Sequence, residues 1–161
     1  MSEIEFLQLL SQNQGIIGKV CSIYCNQQED YEDLFQEITY HAWKGYASFR
    51  GEAKFSTWLY RIALNTAISS FRKRRPSIDF VEVLPDTIFT GTNEIDEQKQ
   101  QLIAAIKQLN EGERAIMALY LEEMSYQEMA DILDEPLNNI KIKLLRAKKL
   151  LAETITKKKK A

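Results

Sequence analysis

One histidine and two cysteines in 161 residues leave little from which to build an active site. Zinc takes about four ligands, and no second Cys or His pair is present to complete a set around Cys21 and Cys25. Those two cysteines, four apart in a helical segment, are expected to be half-buried thiols on one helix face, with no metal and no cofactor. No serine or cysteine stands in a nucleophile motif, and no glycine-rich phosphate loop follows a strand, so the expectation is that the chain is not an enzyme. No apolar run approaches the roughly 20 residues of a membrane span. The start, Met1-Ser2-Glu3-Ile4-Glu5, is acidic where a signal peptide is basic, which makes the cytoplasm the expected location. β signals are nearly absent as well.

Helical apolar periodicity dominates two stretches instead, and the expected fold class is all-α with two small helical domains. Between them two of the three prolines, Pro76 and Pro85, fall with Gly91 and clustered turn residues, which is the composition of a linker. The expected division is residues 1–76, a flexible acidic linker over 77–97, and residues 98–157. Charge follows the same division: net +1 over 1–76, −6 over 77–97 and +3 over 98–161, so a modest overall −2 conceals two basic-capable halves around an acidic strip. Expected helices run over 6–26, 31–44 and 55–74, then 94–109, 111–123, 126–133 and 137–156, with the Lys157-Lys158-Lys159-Lys160 tail frayed.

The second half carries the sharpest local signal. Ser125 and Glu128 form a capping box, and Met124 and Met129 stand at the positions of a hydrophobic staple, which fixes a helix start. That helix is short, ending near Leu133. Asp134-Glu135 makes a tight turn, and Pro136 suits the first position of the next helix. Two helices joined this closely, with Ala130 small enough for their crossing, make a helix-turn-helix. In the following helix Ile140, Leu144, Ala147 and Leu151 form the inward stripe. Lys141, Lys143, Arg146, Lys148 and Lys149 lie outside it, with no acid between Pro136 and Ala152 to neutralise them. Such a helix suits DNA phosphates, with Asn138, Asn139 and Lys141 placed to reach base edges in the major groove. A solvated basic face on an ordinary helical hairpin is the plainer alternative.

In the first half Lys54, Thr57, Arg61, Asn65, Ser69 and Arg72 advance by three or four residues and form one polar stripe. Trp58 falls at the stripe's edge, placed either to stack on an unpaired base or to join the core. The stretch Arg72-Lys73-Arg74-Arg75 concentrates positive charge at the helix end, where duplex phosphates are a natural ligand. The preceding helix pairs Glu32, Asp33 and Glu37 with Leu34, Phe35, Ile38 and Trp43. Its acidic face repels DNA and suits a basic protein partner.

Together these segments resemble the extracytoplasmic-function sigma factors, the smallest members of the main bacterial sigma family. YEDLFQEITYHAWKGYASFRGEAKFSTWLYRIALNTAISSFRKRR, residues 31–75, is similar to family region 2, and LNEGERAIMALYLEEMSYQEMADILDEPLNNIKIKLLRAKKLL, residues 109–151, to region 4. The resemblance implies a factor that binds core RNA polymerase and directs promoter-specific transcription initiation. Asp33, Leu34, Gln36 and Glu37 would dock on the β′ clamp helices. Arg50, Lys54, Phe55, Ser56, Thr57, Trp58, Arg61, Asn65, Arg72, Arg74 and Arg75 would hold and melt the −10 element. Ser125, Tyr126, Pro136, Asn138, Asn139, Lys141, Ile142, Lys143, Leu145, Arg146, Lys148 and Lys149 would read the −35 element, with the β flap as a further polymerase contact. The acidic linker would thread near the RNA exit channel. An anti-sigma factor is an implied partner, with no small-molecule substrate and no direct membrane insertion. With no extra domain expected at either end, inhibition would fall to that other protein. Asp134 departs from the family, where glycine is usual in the turn; aspartate visits left-handed conformations more readily than most residues. Two other classes remain. A classical helix-turn-helix regulator would bind duplex DNA alone, and a helical interaction module would bind no nucleic acid; neither uses both the acidic helix and the aromatic one.

Overall fold

A computed structural model describes residues 3–74 and 93–160. Eight helices follow in order among these residues: α1 Glu3–Gln12, α2 Gln14–Tyr24, α3 Gln28–Tyr46 and α4 Phe55–Arg74, then α5 Asn93–Ile106, α6 Glu111–Leu121, α7 Tyr126–Leu133 and α8 Leu137–Lys160. The all-α class expected from periodicity is the class observed, and among the described residues there is no strand.

Local chemistry explains most of the boundaries. The helix expected over residues 6–26 is two helices, because Asn13 turns its amide back onto the Leu9 carbonyl at 2.8 Å and competes with the backbone ladder there. α3 runs two residues beyond Lys44, and Tyr46 is buried in the core, which favours the added turn. Asn110 accepts from the Glu113 N–H at 2.8 Å while the Glu113 carboxylate accepts from the Asn110 N–H at 3.2 Å, a reciprocal cap that starts α6. α5 opens at Asn93, so residues 93–97 belong to a helix rather than to the linker; that helix is anchored by Ala105 and Ile106, both 1% exposed. The remainder of the linker, 75–92, lies outside the described residues. α8 continues through the lysine tail to Lys160, where a frayed end was expected; lysine is itself a good helix former.

In the first half α2 and α4 cross at the centre, with α3 against both. Ile17, Leu34, Ile38, Leu59 and Leu64 are each at most 1% exposed there. In the second half α8 packs against α5, α6 and α7 through Ile106, Ile116, Leu119, Met129 and Ile140. The halves do not stand apart. α2 lies against α5 and α6, α4 against α6 and α7, and the buried apolar residues form one connected core.

Asp134 closes α7 at φ 54° and ψ 49°, in the left-handed region foreseen for it, and the N–H groups of Asp134 and Glu135 both donate to the Ala130 carbonyl. Asp134→Gly is expected to stabilise the fold by a few tenths to about 1 kcal/mol, and Asp134→Val to cost about 1–2 kcal/mol, both read from chemical denaturation.

Candidate nucleic-acid interface

The turn between α6 and α7 is set by the Ser125 hydroxyl, which accepts from the Glu128 N–H at 3.1 Å, while the Glu128 carboxylate accepts from the Ser125 N–H at 3.3 Å. Met129 is fully buried and Met124 packs partly against the same core, so α7 enters at a fixed angle. On α8 the expected inner stripe is observed: Ile140, Leu144, Ala147 and Leu151 are buried. Outside it Asn138, Asn139, Lys141, Ile142, Leu145, Arg146 and Lys149 are exposed, as are Ser125, Tyr126 and Pro136 beside them.

Two cations of this face are engaged within the fold. Lys143 is half-buried and pairs with Glu135, one residue before the stretch that was read as free of acids. The Lys148 ammonium sits 4.1 Å from the centre of the Tyr120 ring, and a hydrogen bond to Tyr120 raises its pKa. Lys141, Arg146 and Lys149 therefore form the freely presented part of the basic face. Ile142 and Leu145, 56% and 72% exposed, place apolar surface among them, a pairing of chemistries suited to thymine methyl groups flanked by phosphates.

On α4 the stripe is present as spaced. Lys54, Arg61, Asn65, Ser69 and Arg72 are exposed and Thr57 is half-buried. Trp58 lies at its border, half-buried, with ring centroids 5.0 Å from Phe49, 5.3 Å from Phe55 and 6.3 Å from Tyr46. Gly45 lets this ring approach, since a Cβ there would stand 3.4 Å from the indole. Phe55, grouped with the strand-holding residues by resemblance, is 8% exposed and belongs to the core, where it seats Trp58. Arg50 is exposed in the loop before α4 and Ser56 is half-buried on its first turn. Arg74 ends the helix, and Arg75 lies outside the described residues.

α3 presents Asp33, Gln36 and Glu37 to solvent beside exposed Phe35, Tyr40 and Trp43. Leu34, grouped with the docking residues, is 1% exposed and packs inward, a position fixed by the same periodicity that turns Asp33 outward.

Sequence reasoning missed a polar knot where the halves meet. Arg114, 7% exposed, donates from Nε to the Leu109 carbonyl at 2.9 Å, from Nη1 to the Ile23 carbonyl at 3.1 Å and from Nη2 to the Lys107 carbonyl. Its guanidinium lies 4.7 Å from the Phe71 ring centre. Lys107 donates to the Cys25 carbonyl at 2.9 Å, and the Tyr24 hydroxyl donates to the Glu111 carbonyl at 2.6 Å. The C-terminal end of α2, whose last carbonyls lack helical partners, is thus capped by two cations from the other half. Cys21 and Cys25, expected to be half-buried, are buried beside it at 0% and 1% exposure. Nothing local marks Arg114 or Lys107 for this role: each sits among apolar neighbours on an amphipathic helix, and their partners are more than 80 residues away.

Desolvation, aided by the Arg114 charge, pushes the Lys107 amine down to about 8. The packed state therefore binds this proton less tightly than the unfolded chain, a penalty complete below about pH 8 and gone above about pH 10.5. Measured against Lys107→Met, the native chain is expected to gain relative stability as pH rises through that window, and denaturation midpoints of the two proteins at pH 7.5 and 9.5, chosen as roughly bracketing points, check it.

The family description of Sigma-70 region 2 matches residues 9–76, and that of Sigma-70 region 4 matches residues 99–151. The ECF RNA polymerase sigma-E factor of Escherichia coli K12 is 33% identical over 76% of this chain and 72% of its own length. The factor of the same name from Haemophilus influenzae is 29% identical over 93% of this chain and 87% of that one. Among solved structures, the sigma factor RpoE in complex with the anti-sigma factor NepR from Bartonella quintana superposes with a TM-score of 0.76 at 23% identity, covering 94% of this chain and 97% of that one. CnrH in complex with the cytosolic domain of CnrY gives 0.69 at 20% identity, covering 96% and 90%. These two likenesses concern the fold. Region 2 followed by region 4 in one helical chain defines the class of sigma-70-type transcription initiation factors. Within that class, the chain belongs to the ECF sigma factors. It is an initiation factor for promoter-directed transcription and not an enzyme. No described helix is long and apolar enough to cross a membrane.

Proposed function

We propose that residues 1–76 dock on core RNA polymerase and hold the melted −10 strand, that residues 98–157 read the −35 element, and that the segment between them joins the two. The observation that carries this division is the presence of two separately exposed surfaces of complementary kind: the cationic, asparagine-bearing side of α8 and the polar stripe of α4 bordered by Trp58. Lys141, Arg146 and Lys149 hold phosphates while Asn138, Asn139, Ile142 and Leu145 meet base edges. Arg61 and Asn65, with Lys54 and Thr57, track a single strand whose bases stack near Trp58. The acidic face of α3, through Asp33, Gln36 and Glu37, meets the basic clamp helices of β′. The site of action is the cytoplasm. An anti-sigma factor is a fitting partner, since both solved neighbours named above were captured with one.

Run-off transcription with purified bacterial core polymerase on a genomic promoter library tests this reading. The expected result is a set of defined start sites that depends on the chain and shares two elements about 35 and 10 nucleotides upstream, the spacing that two modules on one enzyme dictate. Duplex binding by the chain alone as a dimer, with no start site in the presence of core, would point to a free-standing helix-turn-helix regulator instead.

A further inference from the structure

The packing of the two halves bears directly on the strip of α4 assigned above to the −10 strand. At the N-terminal end of that strip, Lys54, Ser56 and Thr57 share a cleft of about 530 Å³ with Glu122, Glu123 and Glu128 from the second half. On the same side, Lys19 of α2 pairs with Glu122 at 2.8 Å. Toward its C-terminal end, Arg72 donates to the Glu111 carboxylate at 3.0 Å, and this bond helps hold that carboxyl below its ordinary range. Four carboxylates of the second half thus stand where the phosphates of a bound strand would stand. The exposed pairs contribute little by themselves. The buried knot of Arg114, Lys107 and Tyr24 holds the halves in this register, because separating them would strip the α2 carbonyls of buried, charged donors.

We propose that this packed arrangement is a self-masked state of the chain, in which the α6–α7 turn and the start of α6 act as an internal acidic stand-in for the −10 strand and must be displaced before α4 can take DNA. The inference rests on the reading of α4 given above. It adds that the mask is intramolecular, built from Glu111, Glu122, Glu123 and Glu128, and needs no second protein to form. Masking and promoter engagement are then mutually exclusive, and the energy of docking both halves on core polymerase is what opens the chain.

A zero-length carbodiimide tests it on the full chain, since it joins Lys19 to Glu122 only where the two side chains touch. Peptide mapping by mass spectrometry identifies the amide, and Glu122→Gln, treated identically, cannot form it. The probe is a fluorescein-labelled single strand from the non-template −10 region of a promoter found by run-off transcription. The expected result is that the Lys19–Glu122 peptide forms in the free native chain and that strand affinity falls at least tenfold below that of treated Glu122→Gln. Absence of the linked peptide, or a linked chain that binds the strand as well as the unlinked one, overturns the mask. Ultraviolet cross-linking of the same strand to untreated holoenzyme separates the two readings. A strand that cross-links outside α4 overturns the assignment of that helix, and the mask with it, independently of the chemical link.

Discussion

Replacing Arg114 with methionine is expected to lower the stability of the chain by about 3–5 kcal/mol, the largest effect of any single substitution at a polar residue here. The side chain is buried and its three donors satisfy the carbonyls of Ile23, Lys107 and Leu109, two of them in its own half and one in the other. Methionine fills much of the volume over Phe71 but donates nothing, so those carbonyls lose charged partners without regaining water. Thermal unfolding should show a drop of about 10 °C. A loss below about 1 kcal/mol would mean that water replaces the guanidinium at little cost, and that the knot does not hold the halves together. Arg114→Lys is expected to fall between the two, keeping the charge while reaching fewer of the three acceptors.

The second large effect is expected on α8. In holoenzyme, Lys141→Ala combined with Arg146→Ala should weaken binding to a promoter duplex by about tenfold to a hundredfold and reduce the magnitude of its logarithmic salt slope by about two, one for each phosphate contact removed. Both side chains are exposed on the outer side of a helix whose inner stripe is buried. Lys143→Ala serves as the internal comparison. It removes the same formal charge, but that charge is already engaged with Glu135, so its salt slope should move less. Equal slopes for Lys143→Ala and Lys141→Ala would show that position on the helix does not decide phosphate contact.

The elements that carry these predictions were legible to different degrees. Ser125, Glu128, Met124 and Met129 announce the start of α7 within five residues, and the observed cap uses those same atoms. α4 begins at Phe55 and ends at Arg74, both as the periodicity indicates, because its polar stripe and its apolar face repeat over more than five turns. The break at Asn13 went unseen for the opposite reason: a single side-chain bond to the Leu9 carbonyl leaves no periodic trace. Phe55 and Leu34 show the limit of carrying roles over by resemblance. Each matches a family segment, yet each is turned inward, where it supports Trp58 or the α3 packing instead of meeting a partner. The ion pair of Lys143 with Glu135 escaped because the acid lies just ahead of the stretch that was searched for one.

By itself the sequence determined the helical class, the two family regions, the helix-turn-helix with its left-handed Asp134 and the polar stripe of α4, all of which arise from residues within a few turns of one another, where spacing fixes geometry. Tertiary structure alone decided that the halves pack together, that Arg114 and Lys107 become buried donors to the end of α2, and that carboxylates of the second half lie along the stripe of the first. Those contacts join residues up to 103 positions apart, as Lys19 and Glu122 do. A pairing at that separation is set by how whole helix surfaces fit and which polar groups lose water together, and neither is written in the order of neighbouring residues.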